Sequence, residues 1–248
     1  MADFRPQFPQ HGRPDSGLYD AAYEHDSCGV GFVVDMKGRR SHAIVQHAMT
    51  VLKNLLHRGA CGCEENTGDG AGILIQLPDK FLREECAKLD IVLPSAGHYG
   101  AGLVFLPQDE GAAVRCRENM AAIIEQEGQS LCGWRVVPSD NSELGPTAQS
   151  AQPQIEQIFI KRADDLLDDD AFERKLYLIR KRAEHEFWAS SIAGAEHFYI
   201  PSLSHRTLIY KGMLIGSQLE QMFPDVFDER VESALALVHQ RFSTNTFP

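Results

Sequence analysis

No stretch of the 248-residue chain approaches the ~20 consecutive apolar residues that a membrane-spanning helix needs. No C-x-x-C pair and no zinc-finger spacing of His and Cys occurs, so the sequence offers no structural metal site. Positive charge is scarce: 24 Lys and Arg stand against 35 Asp and Glu, a net charge of −11. A chain that acidic is ill suited to a phosphate backbone, and nucleic acid is excluded as a partner. The most basic stretch, 161–186, is nearly balanced by its own carboxylates and reads as a solvated helix surface. No internal repeat is visible. The N-terminal segment carries Pro6, Pro9 and Pro14, with charges between them and no apolar centre, so it does not read as a secretory signal. Reduced thiols in a cytoplasmic protein, without a membrane, are the expectation.

What is present is an ordinary globular composition, 43% apolar and 24% charged. Residues 1–27 read as an extended leader. From Cys28 to Asp35 the sequence alternates, with Val30, Phe32 and Val34 on one face, which predicts a strand. Ile44, Ala48, Val51, Leu52 and Leu55 recur at helical spacing, with Ser41 as a cap and Gly59 as a left-handed stop. Strands are predicted at 71–77, 100–106, 131–137, 155–161, 198–200, 207–210 and 234–239. Helices are predicted near 79–88 and 110–127, and at 172–187 behind an acidic start at Asp168. Residues 138–154, with three Pro and no periodicity, read as a surface loop. Strands and helices come in blocks, which favours α+β with antiparallel sheets.

Three groups of residues could carry chemistry. Cys28 stands at the start of a strand behind a polar leader. Removal of residues 1–27 would leave it with a free α-amine of pKa near ~8, able to take the thiol proton. A buried structural thiol is the ordinary alternative. Arg241, emerging from an apolar strand in His239-Gln-Arg-Phe-Ser-Thr244, could clamp a carboxylate in bidentate fashion or simply form a surface ion pair. Thr67-Gly-Asp-Gly-Ala-Gly72 is rich in glycine but lacks the Lys-Ser/Thr of a P-loop and leads into a strand. A tight, closely packed turn is the better reading. His42, His47 and His57 lack metal-ligand spacing, and the acidic pairs Glu64/Glu65 and Asp164/Asp165 read as solvated loop residues.

Taken in order, His25-Asp-Ser-Cys28-Gly-Val-Gly-Phe, Leu56-His-Arg-Gly-Ala60, Thr67-Gly-Asp-Gly-Ala-Gly-Ile73, Ser202-Leu-Ser with Tyr210-Lys-Gly-Met-Leu214, and His239-Gln-Arg-Phe-Ser-Thr-Asn-Thr246 span nearly the whole chain. This set resembles the start of the large subunit of bacterial glutamate synthases, a class II glutamine amidotransferase domain. The resemblance implies the α+β, four-layer αββα fold of N-terminal-nucleophile hydrolases, with 1–27 as a prosegment and 28–248 as the amidotransferase domain. It implies Cys28 as catalytic nucleophile on the side-chain amide of L-glutamine, Arg241 on the substrate α-carboxylate, Thr244 as a neighbouring contact, and Arg58 packed near the nucleophile. For a full-length enzyme it further implies channelling of ammonia to 2-oxoglutarate, an FMN, a 3Fe-4S cluster, and NADPH bound through a small subunit. None of these cofactors is expected in this segment.

The family's oxyanion Asn-Gly and a later substrate-binding Asp are not in the sequence, so the fold is expected to be incomplete at its C-terminus. Loss of one oxyanion donor costs about 10²–10³ in rate. The 248 residues alone are therefore expected to be nearly inactive and prone to aggregate. A different class II amidotransferase, or a truncated non-catalytic remnant, are the alternative readings.

Overall fold

The computed structural model describes residues 29–59, 64–166, 168–192 and 194–240. Two antiparallel sheets organise them. The first has the order β1-β7-β2-β6, built from β1 (Gly29–Val34), β2 (Ala71–Gln76), β6 (Thr207–Gly212) and β7 (Leu235–Gln240). The second has the order β3-β5-β4, from β3 (Tyr99–Leu106), β4 (Ser130–Val136) and β5 (Gln154–Lys161). Single bridges, Ala101 with Ser204 and Phe105 with Tyr199, tie β3 to the segment before β6. The fold is α+β, as the block-wise sequence pattern predicts.

Each sheet carries helices on one face. Helix α1 (His42–Asn54) lays Val45, Ala48, Met49 and Leu52 on β1 and β7. Gly31 allows this approach, because a Cβ there would run into the Val51 side chain. Helices α3 (Glu110–Gln126) and α5 (Asp169–Trp188) cover the second sheet through Met120, Ile124, Leu176 and Ile179. Both use aspartate caps: Asp109 accepts from the Ala112 N–H, and Asp168 from the N–H groups of Asp170 and Ala171. The short α2 (Asp79–Ala87) contributes Phe81 and Leu82 to the core. Among the described residues, no helix is long and apolar enough to cross a membrane.

Five local expectations are corrected. Residues 138–154 are not all loop: Pro146–Ala151 form a short helix, α4. Its start is held by a residue far away in sequence, since the Glu64 carboxylate accepts from the Thr147 N–H at 3.0 Å and from the Thr147 and Thr67 hydroxyls at 2.6 Å each. Glu64 is therefore not an idle loop carboxylate, and the Thr147 and Thr67 hydrogen bonds lower its pKa. Segment 198–200 makes one bridge rather than a strand. Ser41 stands at the start of α1, but its side chain makes no capping bond. Gly59 is not a left-handed stop: its φ is −76°, and the chain leaves α1 through a 3₁₀ turn at Leu56–Arg58.

Buried between the sheets is a closed polar network. Arg135 donates to both carboxylate oxygens of Asp225, at 2.7 and 2.8 Å, and to Gln157 Oε1 at 2.9 Å. Gln157 Nε2 donates to the Tyr210 hydroxyl at 3.0 Å, which in turn donates to Asp225 at 3.1 Å. Burial, with the Asp225 charge beside it, holds the Tyr210 phenol well above its usual pKa, so it stays a donor.

Candidate active site

The first strand and the last described strand meet in register, with Gly29 opposite Gln240 and Val34 opposite Leu235. Cys28 precedes Gly29 in the chain, and Arg241 follows Gln240. Cys28, Arg241 and Thr244 themselves lie outside the described residues, as do Cys61 and Cys63. Of the candidate site residues, Arg58 is described. It ends the 3₁₀ turn, is exposed, and stands over the start of β1, where a Cβ on Gly29 would be 3.0 Å from the Arg58 Cβ. Arg58 also has an interaction partner of its own.

The glycine-rich segment is a packing device. Gly68 lies so close to the backbone of Leu214 and Ile215 that a Cβ would overlap it. Gly70 has φ +135°, and Gly72 lies against Lys211. The turn delivers the chain into β2, whose Ala71 pairs with Gln240 on the side away from Gly29. Gln240 is thus flanked on both sides.

The two faces of the first sheet differ. The alternation in β1 turns Gly29, Gly31 and Val33 toward α1, and turns Val30, Phe32 and Val34 to an outer face where Phe32 is 72% exposed. The sequence pattern identifies that apolar stripe without saying that it lies uncovered. Near β6 the outer face hollows into a cavity of about 600 Å³, bordered by Gly72, Leu74, Tyr199, Lys211, Leu237 and His239. Lys211 Nζ donates to the Tyr199 hydroxyl at 3.0 Å and sits 4.5 Å from that ring's centroid. Burial, and then the Lys211 charge, lower the His239 pKa, so the imidazole is held neutral. Lys211 and His239 both face β2 at Gly72, a grouping that sequence spacing could not reveal because it arises from the β7-β2-β6 order.

The described thiols do not compete as nucleophiles. Burial pushes Cys86 up to about 12 and also raises Cys116 and Cys132. Cys86 and Cys116 belong to different core clusters, and among the described residues no group of three metal-ligating side chains is brought together. These residues do not fit an iron–sulfur cluster.

Residues 28–248 match the class II glutamine amidotransferases, and the chain belongs to that family. The match begins at Cys28. Among curated proteins it is similar to the glutamate synthase [NADPH] large chain of Bacillus subtilis, 45% identical over 94% of this chain and 15% of that protein. It is similar also to the glutamate synthase [NADH] of Schizosaccharomyces pombe (44%, over 93% of this chain and 11% of that protein). The glutamate synthase [NADPH] large chain of Azospirillum brasilense is 38% identical over 100% of this chain and 16% of its own length. The chain therefore spans about a seventh of the length of these relatives.

Proposed function

We propose that this chain is the glutaminase part of a glutamate synthase large chain, with residues 1–27 a prosegment and 28–248 the amidotransferase domain. Cleavage of the Ser27–Cys28 bond frees the Cys28 α-amine. That amine, with a pKa near ~8, takes the thiol proton, and the thiolate attacks the side-chain amide carbon of L-glutamine. The C–N bond breaks, the nitrogen leaves as ammonia with the transferred proton, and a γ-glutamyl thioester remains. Water then attacks the thioester, releasing glutamate and restoring the thiol. Arg241 holds the substrate α-carboxylate, Thr244 adds a contact, and Arg58 packs beside the nucleophile.

The observation that carries this reading is the pairing of Gly29 with Gln240. Opposite Cα atoms in an antiparallel ladder are about 4.5–5.5 Å apart, and chain neighbours about 3.8 Å. Cys28 and Arg241 are the chain neighbours of this pair, so the proposed nucleophile and the proposed clamp are each one residue from the same rung of the sheet. The family match opening at Cys28 supports the same nucleophile.

In the whole protein the ammonia would be channelled to 2-oxoglutarate. FMN, a 3Fe-4S cluster and NADPH through the small subunit would supply the reducing equivalents, and this reading assigns none of them to residues of this chain. The test is the mass of the N-terminal peptide together with ammonia release from glutamine, using the longest chain the gene encodes. A chain beginning at Cys28 and glutamine-dependent ammonia are expected. Active protein that retains Ala2 would sink the mechanism.

Two further outcomes follow from the same reading. Arg241→Lys keeps the charge but loses the bidentate fork, so KM for glutamine is expected to rise by about tenfold or more with a smaller change in kcat. An unchanged KM would remove Arg241 from the clamp. A polypeptide of these 248 residues alone is expected to release ammonia at about a hundredth of the rate of the longest chain the gene encodes, or less. Comparable turnover in a coupled ammonia assay would refute this.

A further inference from the structure

We infer that Gln240 is a positioning residue that holds the start of β1 against the Arg58–Gly59 turn, and so sets the nucleophile relative to the substrate clamp; the inference rests on the glutaminase reading. Three glycines from distant parts of the chain face this one side chain. A Cβ on Gly29 would stand 3.2 Å from the Gln240 Cβ, and one on Gly216 would stand 2.5 Å from Oε1. One on Gly59 would overlap Nε2. The Gln240 side chain is therefore a knob seated in a hole that only bare backbone can form.

This seat explains Gly59, whose φ needs no glycine, and it explains why Arg58 meets Gly29 through its Cβ. A Cβ on Gly216 would also stand 3.1 Å from the Leu52 carbonyl oxygen in the last turn of α1, and one on Gly59 3.3 Å from the Leu56 carbonyl oxygen of the 3₁₀ turn.

Packing alone does not call for an amide here. Gln240 is 1% exposed, and among the described residues its Oε1 has no hydrogen-bond partner. An unpartnered buried polar atom is destabilising, and methionine would fill much the same volume without it. What the amide adds is a rigid, planar end with a defined orientation between the Arg58–Gly59 turn and the Gly216 turn. Its backbone pairs with Gly29 and Ala71, so a tilt of Gln240 is passed across the ladder to the start of β1, the nucleophile's end of the site.

The test uses the longest chain the gene encodes and compares wild type, Cys28→Ala and Gln240→Met for glutamine-dependent ammonia release and thermal unfolding. Gln240→Met is expected to unfold cooperatively and to lose kcat by about tenfold to a hundredfold, the scale of an ångström-level misplacement. KM for glutamine should stay within about threefold, because the clamp itself is intact. A folded Gln240→Met protein with wild-type kcat, or with a raised KM and unchanged kcat, overturns the inference while leaving the glutaminase reading in place. A wild type without glutaminase activity, or an active Cys28→Ala, overturns both. If Gln240→Met does not fold, Gly216→Ala takes its place, since it pushes on Oε1 from a residue remote from the proposed chemistry. The same kcat-selective loss supports the inference, and unchanged kcat overturns it.

Discussion

Cys28→Ala is expected to abolish ammonia release from glutamine, with a loss in kcat on the order of 10⁴-fold or more. The size follows from the chemistry. Alanine has no atom to form the thioester, so the two-step route through a covalent intermediate closes and only direct attack by water remains. The α-amine base, now attached to alanine, has no thiol to deprotonate. Glutamine affinity should change little, because the proposed clamp is Arg241 and not the thiol; an active-site titration by equilibrium dialysis separates the two. Cys28→Ser is the sharper variant. It keeps the shape and the amine but replaces a thiol of pKa about 8.5 with a far weaker acid, so it should be nearly as slow as alanine. The described Cys86, Cys116 and Cys132 cannot substitute, since burial holds each as a thiol. Ammonia release by Cys28→Ala within tenfold of wild type would exclude Cys28 as nucleophile.

The largest stability effect is expected at Asp225. Its carboxylate accepts from both guanidinium ends of Arg135 and from Tyr210, and both members of the ion pair are 5% exposed. Burial works against the Arg135 charge, but the Asp225 hydrogen bonds outweigh it and raise the Arg135 pKa. Asp225→Ala removes that compensation and leaves a buried cation with Gln157 and the faces of Phe81 for company. The cost is expected to be about 3–5 kcal/mol, read as a fall in the urea midpoint with little change in slope. An Asp225→Leu, Arg135→Met pair should recover much of the loss, because an apolar replacement of a buried pair is often neutral. A loss below about 1 kcal/mol in the single variant would mean that water or another group reaches Arg135.

Much of the fold is legible in the residues one after another. The alternation at β1, the helical spacing of α1 and α5, and the acidic start of α5 are local patterns, and local patterns report local backbone. The motif order points to the family for the same reason, since each motif is contiguous. Helix α4 is not legible, because its N-terminal donors are satisfied by Glu64, 83 positions away, and not by a cap of its own. Nor is the role of Gly59. Following a helix, a glycine suggests a left-handed stop, and only the folded chain shows that its missing side chain makes room for Gln240.

The division has one physical origin. Hydrophobic period, capping and turn chemistry depend on neighbours within about four residues, so β1 to β7, α1, α2, α3 and α5 can be read along the chain, as can the motifs that name Cys28, Arg241, Thr244 and Arg58 as candidates. Which residues share a buried space depends on strand order and register, which bring position 29 to 240 and 135 to 225 at no signal in either neighbourhood. The tertiary structure alone decided that the Val30, Phe32 and Val34 stripe faces outward, that Lys211 and His239 share a cavity, and that three separated glycines surround one glutamine.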